Sequence, residues 1–473
     1  MNVFAFTTSY RSIIGMLPAA GLGFFAAVAA SLPDPRFSLW SLALAAFLIL
    51  ACWILRDPLH WLVVFFFCAI LLPPLPLPGG DSGLSVAPFA AAFGMLAGLV
   101  WIRRWGSAFE PLTVALLMFG VALVASLPFA LWNSGWRIAA ASLLRVGLFG
   151  ISVLVFLYAY AGPRSARWSE LHLVRYLFLL AVCTAIFACA DFYFQFPAPA
   201  GFGDQYVWLD DSVLRRAQGF FYEASTLGNF CAFFLVMVAV SLLRNRKDSP
   251  IPHLYLLLGG VPLGVALMLS YSRASMINVT VALTVLAFLR LRQISRTVLA
   301  SAGIFLGGVL ILQGFAADVA SAYWNRLVAS FTYLLTSPNT VLSGRLTHWK
   351  ALVEFIGAQP QNLLFGIGYK TLPYSFVTGA PVVADNTYLG LLVETGIFGL
   401  LSFLLLNGLI LRTGWRALRS NTLEATFLGE WIFCFWCGQM VQMLSGDLIT
   451  YWRVLPLYFW TLGAAARLTR ASQ

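Results

Sequence analysis

Five basic residues stand apart from the clusters that hold most of the chain's positive charge: Arg215, Arg216, Arg273, Arg345 and Lys370. An arginine fork donates two parallel, charge-assisted hydrogen bonds and keeps its proton, so several arginines facing one place suit a phosphate or pyrophosphate. Arg273 lies in Tyr-Ser-Arg-Ala-Ser between two apolar runs. A connection that short puts its side chain at a membrane surface or in a cavity between helices. Alone, Arg273 is as well suited to a lipid headgroup. With Arg216 and Arg345 on the same side, it points to an anionic ligand.

The acid–base candidates are fewer. Asp385 precedes Asn386 where a long polar stretch gives way to an apolar one, in Ala-Asp-Asn-Thr-Tyr-Leu. A half-buried carboxylate there can serve as a general base, because burial raises its proton affinity. The same residues also make a good helix N-cap. Glu394, nine residues further on, is expected to make an internal hydrogen bond or ion pair. His348 lies three residues after Arg345 and titrates near neutral pH, or is simply a surface residue of an amphipathic helix. Asp210 and Asp211 are adjacent acids in a loop and read as solvated, so neither a metal nor a cofactor is expected. Cys434 and Cys437 form a C-x-x-C pair inside an apolar run, with no other His or Cys close by in sequence. They read as small packed hydrophobes.

The elements that must position these residues are membrane helices. The chain has 473 residues, of which 60% are hydrophobic and 10% charged, with a mean hydropathy of +0.85. A soluble domain carries roughly 25% charged residues. Apolar stretches long enough to cross a ~30 Å hydrocarbon core fall near 13–31, 37–55, 59–77, 84–102, 111–132, 138–161, 173–194, 224–243, 251–270, 275–290, 298–317, 387–411, 424–444 and 447–467. The fold class is therefore all-α: a polytopic membrane bundle of about fourteen helices, with 12–14 as the range, in a single domain over 1–473. The first apolar run, Ile13–Ala30, is read as a retained helix rather than a cleaved signal.

Basic residues in alternate short connections set the orientation. Arg103 and Arg104, Arg244 and Arg246, Arg290 and Arg292, and Arg412 and Arg416 fall in such connections, and both termini join that set. These ends are expected in the cytoplasm. The net charge of +11 is spread over these clusters rather than along one stripe, which argues against nucleic acid as a partner. Two long connections then face outward, 195–223 and 318–386. The second should hold helices of its own, one over Ala320–Leu335 and one capped by Ser343 and ending before Pro360. In the latter, Leu346, Trp349, Leu352, Val353 and Ile356 make an apolar stripe, with Arg345 and His348 on a neighbouring face.

At these residues the sequence resembles the bacterial O-antigen ligase and polysaccharide polymerase superfamily. The similarity runs in order through Arg216-Ala-Gln-Gly219-Phe with Gly228-Asn229, Leu269-Ser-Tyr-Ser-Arg273, Ser343-Gly-Arg345 with Trp349, and Phe365-Gly-Ile-Gly368. It ends at Asp385-Asn-Thr-Tyr-Leu389 and Glu394-Thr-Gly-Ile-Phe-Gly-Leu400. The resemblance covers about residues 205–410. It implies a metal-independent inverting glycosyltransferase of the bacterial inner membrane, with its active site toward the periplasm and both termini cytoplasmic. Its donor and acceptor would be polyprenyl-pyrophosphate-linked glycans, with membrane lipids around it and chain-length regulator and export proteins as candidate partners.

The implied roles are pyrophosphate binding for Arg216 and Arg273, with Arg215 beside them. Catalysis would fall to Asp385, Arg345 and His348, with Asn386, Tyr388 and Trp349 in support. Ligases of the superfamily usually carry His-Asn where this chain has Asp385-Asn386. That departure favours a polymerase of repeat units over a ligase acting on a lipid A core. A flippase for lipid-linked oligosaccharide would share the helix count and cationic sites. It would also be expected to show repeated halves and ionisable residues near mid-membrane, whereas no repeat is visible here and the candidate residues cluster in external loops.

Overall fold

The computed structural model describes residues 49–57, 59–73, 85–107, 109–163, 169–197, 205–208, 213–291, 342 and 344–471, with scattered positions from 303 to 339. The expected spans at 13–31 and 298–317, most of 37–55, the expected helix over Ala320–Leu335, and Asp210 and Asp211 lie outside the described residues. Each of the other expected spans contains a helix.

In chain order the helices are α1 His60–Ile70, α2 Ala87–Val100, α3 Pro111–Ala125, α4 Leu127–Ser134, α5 Trp136–Ala161, α6 Glu170–Phe194, α7 Ala224–Leu242, α8 His253–Leu269 and α9 Arg273–Leu289. They continue with α10 Arg345–Ala358, α11 Asn362–Phe365, α12 Thr387–Leu418, α13 Leu423–Gln442 and α14 Leu455–Ala471. Among the described residues five helical stretches are long and apolar enough to cross a membrane: Pro111–Ser134, Trp136–Ala161, Glu170–Phe194, Ala224–Leu242 and Thr387–Leu418. Four more apolar helices, α1, α2, α8 and α9, are shorter than 18 residues.

Helix α7 is the hub. Its apolar window is 89% buried, and it packs against α6, α8, α9 and α13. A helix apolar on every side must have protein on every side, and Phe230, Phe233 and Phe234 fill the space between it and its neighbours. The buried amide of Asn229 interrupts this surface and has its partners ready. It donates to Gln439 at 2.6 Å and Gln442 at 2.7 Å on α13, and accepts from Tyr458 on α14. Asn278 on α9 donates to the same two glutamines at 3.0 and 2.8 Å. Four helices are thereby locked in rotation by one buried amide cluster, because each amide left unpaired away from water would be costly.

At the opposite end of the same helices, Glu430 on α13 is gripped by Arg290, at 2.7 and 2.9 Å, and by Arg244 at 3.4 Å. These arginines close the C-terminal ends of α9 and α7, where cations oppose the helix dipole.

The structure departs from the sequence expectations in four places. The last helix begins at Leu455, not 447, and places Pro456 in its first turn, where a missing N–H is harmless. The freed segment 443–454 is a loop with one 3-10 turn at Leu448–Thr450. Helix α10 has Gly344, at φ +82° and without a side-chain cap, at its N-cap position, and the expected cap Ser343 lies outside the described residues. Its inner face is Leu352 and Phe355, while Val353 is exposed. The loop 195–223 contains a short antiparallel ribbon, β1 Tyr206–Trp208 and β2 Val213–Arg215, pairing Tyr206 with Arg215. Three-residue strands leave too short an alternation to be read from sequence.

Helix α12 is broken at Gly396, whose φ of +70° is non-helical. A break removes hydrogen-bond partners from the preceding carbonyls. The chain supplies them from outside: Ile367 N–H donates to Val393 O at 3.0 Å, and Gly368 N–H to Glu394 O at 2.9 Å. A side chain at Gly396 would meet Leu364 O at 2.2 Å, and one at Gly366 would meet Glu394 O at 2.3 Å. The two glycine motifs flagged in the sequence are thus the two halves of one interlock. It draws segment 366–372 into the protein between α12 and the α3–α5 stretch.

Candidate active site

Seven elements end at one cavity of about 680 Å³. The N-terminal ends of α7, α9 and α12 open onto it, with segment 216–223 on one side, 369–374 on another, and 383–385 and 445–453 across from them. Helix N-termini present unpaired N–H groups and a partial positive charge, favourable to an anion. Six basic side chains line the space: Arg145, Arg216, Arg273, Arg345, Lys370 and Arg453. Four acids line it too: Glu223, Asp385, Glu394 and Asp447.

The ribbon ends between two neighbouring arginines. Arg215 turns inward, where its guanidinium meets Asp191 of α6 at 2.7 Å and Phe196 O at 2.8 Å. Its backbone is held by Gln195. Arg215 is therefore part of the scaffold, and it does not line the cavity. Arg216, the residue after β2, lines the cavity, and its Nε donates to Ser270 O at 2.8 Å. Ser270, Ser272 and Ser275 crowd Gly228, where a Cβ would come within 2.8 Å of Ser270 Oγ. Ser272 caps α9 by accepting from Ser275 N–H. Arg273 is thereby fixed as the first residue of α9, at the rim of the cavity, rather than within a connection as its spacing suggested.

The carboxylate candidate also resolves into two neighbours with different duties. Asn386 is the N-cap of α12, its side chain accepting from Leu389 N–H at 3.0 Å. Asp385 is left out of the cap, in the left-handed region at φ +44°. It accepts from Arg345 Nε at 3.1 Å. Arg345 is aimed by its helix: Trp349, one turn on, donates to Ala384 O at 2.7 Å. Tyr388 lies outside the cavity and ties α12 to α13 by donating to Met440 O at 3.1 Å. His348 is exposed on the outer face of α10 and does not line the cavity.

The cavity also holds Lys370 and Glu394, both noted in the sequence, and Arg145, Glu223, Asp447 and Arg453, which sequence patterning did not single out. Arg145, inside the apolar run of α5, donates to Lys370 O at 3.0 Å and lies over the ring of Tyr374. Lys370, a basic outlier in the sequence, is set in the left-handed region and pairs with Asp447. Burial pushes its ammonium down to about 8, opposed mainly by the nearby charge of Glu394. Glu394 turns its carboxylate to the backbone, accepting from Leu372 N–H at 3.2 Å. Glu223 accepts from Ser225 Oγ at 3.0 Å, and burial raises its proton affinity. Arg453 is fully enclosed and bonds three carbonyls, of Ala69, Leu72 and Phe220, so it pins the cavity floor. The signal for Lys370 was present, since a basic residue was out of place. Glu223 and Asp447 sit in short irregular stretches with no period to betray them.

Compared with known families, residues 254–404 match the family model described as O-Antigen ligase, a segment that contains Arg273, Arg345, Lys370, Asp385 and Glu394. The match and the apolar helices support a membrane protein of the O-antigen ligase/polymerase-type superfamily. No curated protein matches the chain.

Proposed function

On the premise of that O-antigen ligase segment, we propose that this protein is an inverting glycosyltransferase joining polyprenyl-pyrophosphate-linked oligosaccharide units into a longer glycan at the extracytoplasmic face of a bacterial inner membrane. The supporting observation is the convergence of Arg216, Arg273, Arg345 and Asp385 on one cavity from stretches up to 169 residues apart. The proposed orientation rests on the positive-inside trend. The cavity lies at the end opposite Arg244, Arg290 and the other clustered basic residues, which the positive-inside trend assigns to the cytoplasm.

In the proposed reaction, Arg216 and Arg273 hold the donor pyrophosphate and stabilise the charge that grows on it as the glycosidic C–O bond breaks. Electrostatic stabilisation of this kind is often the largest contribution to such a step. The acceptor hydroxyl attacks the anomeric carbon from the opposite face, which inverts it, and a carboxylate accepts the hydroxyl proton. The sequence pattern assigns that carboxylate to Asp385, which Arg345 holds at the edge of the cavity.

A ligase acting on a lipid A core is the second reading, favoured by the description of the matched family. Purified protein given only the lipid-linked repeat unit decides between them. Growth of a glycan ladder supports the polymerase, whereas transfer only when lipid A core is added converts the assignment to ligase. Transport is tested in cells: Arg273→Ala should leave unpolymerised units on the outer leaflet, and their retention on the inner leaflet would overturn catalysis.

A further inference from the structure

Four carboxylates face the cavity, and three of them are engaged by a cation or by the backbone. Asp385 accepts from Arg345, Asp447 is paired with Lys370, and Glu394 is turned onto the backbone of segment 370–372. A general base needs a lone pair that is free to take a proton, within reach of the reacting hydroxyl. Among the described residues the Glu223 carboxylate makes one hydrogen bond, from Ser225 Oγ to Oε2. Glu223 thus lines the cavity held by a neutral hydroxyl, where the other three are held by a cation or by backbone N–H.

Its position is built rather than incidental. Glu223 is the residue before α7, in extended backbone with φ −134°, and it does not cap that helix. The side chain is therefore released from helix duty toward the cavity. It follows Arg216 by seven residues, so the same short segment carries a proposed pyrophosphate ligand and a carboxylate into one space. Asp385, Lys370, Arg216 and Tyr451 are the charged and titratable groups that bear on it.

Resting on the glycosyl-transfer reading above, we propose that Glu223, and not Asp385, is the proton acceptor for the attacking hydroxyl. In the step, the hydroxyl oxygen forms the new bond to the anomeric carbon and the bond from that carbon to the pyrophosphate oxygen breaks. That electron pair leaves with the polyprenyl pyrophosphate, and the hydroxyl proton passes to Glu223 Oε1 or Oε2. No oxidant, reductant or further reactant is needed. Burial supports the assignment, since it makes the Glu223 carboxylate a better proton acceptor than a solvated one. The Asp385–Arg345 pair is then a positioning element that orients the acceptor.

The test compares purified full-length Glu223→Gln, Glu223→Asp and Asp385→Asn, using a defined polyprenyl-pyrophosphate oligosaccharide and following both product and donor KM. Glu223→Gln should lower kcat by roughly 10²–10⁴-fold, the range of general-base catalysis, with donor KM within about threefold of wild type. Glu223→Asp should recover part of the rate, and the log kcat–pH profile of Glu223→Gln should lose its acidic limb. Asp385→Asn should keep that limb. Matching elution and melting temperature in the Gln variant exclude a folding defect. Glu223→Gln within fivefold of wild type, or loss of the acidic limb in Asp385→Asn instead, overturns the proposal. A wild-type protein that transfers no glycan from any lipid pyrophosphate would overturn the glycosyl-transfer reading beneath it.

Discussion

Two adjacent arginines, replaced one at a time, should give opposite phenotypes. Arg216→Ala should lower turnover by about 10²–10³-fold, the loss typical of one preorganised charge donor, with little change in melting temperature. Arg215→Ala should instead destabilise the fold by about 3 kcal/mol, because it strands Asp191 as an unpaired charge away from water. A thermal melt and a transfer assay on the two variants separate the roles. Lys370 adds a pH signature. Its ammonium, lowered by burial to about 8, is charged below that value and neutral above it. The cavity therefore loses one positive charge as pH rises through 8, and the KM for the anionic donor should climb there. Lys370→Arg, which stays charged, should flatten that rise. Asp447, Glu394, Glu223, Asp385 and Arg145 surround the ammonium, so a KM that is flat from pH 7 to 9 in wild type would show that its charge plays no part in donor binding.

At the scale of elements, the interlock of α12 with the segment 366–372 should be intolerant of the smallest side chain. Gly396→Ala forces a Cβ into Leu364 O at a backbone angle that suits glycine. It should lower stability by about 2–3 kcal/mol. Gly357→Ala, in α10 with nothing nearby, should be neutral or stabilising by up to about 0.5–1 kcal/mol. Denaturation of the two variants checks the contrast. These elements also mark how far the sequence carries. Apolar runs located the helices, because length and hydropathy alone decide what can cross a bilayer. Order and spacing of short motifs located Arg216, Arg273, Arg345 and Asp385. What escaped was contact between irregular stretches. Nothing in the run around Asp447 announces that Pro456 delays the helix and leaves a loop to reach Lys370, and Glu223 looks like any acid before a helix. Arg215 and His348 lie off the cavity for a related reason: a strand of three residues or one turn of helix decides which way a side chain faces.

For the molecule as a whole, chemistry and anchorage occupy opposite ends of the same helices. Glu430→Gln should cost about 3 kcal/mol by freeing Arg290 and Arg244 from their shared partner, yet leave donor KM unchanged, since the amide cluster of Asn229, Asn278, Gln439 and Gln442 stands between it and the cavity. A change in KM as large as the change in stability would instead mean that the bundle transmits strain along its length. One feature of the cavity reaches beyond this chain. Because Asp385 is held at φ +44°, the backbone admits few side chains there: glycine without strain, and asparagine, aspartate or histidine with little. Of those, aspartate can accept a hydrogen bond from Arg345 as it does here, and histidine can accept one through a ring nitrogen. The Asp-Asn of this protein and the His-Asn usual among the ligases it resembles are then neighbouring solutions in a very small alphabet. Lineages could cross from one to the other by a single codon change without rebuilding the loop.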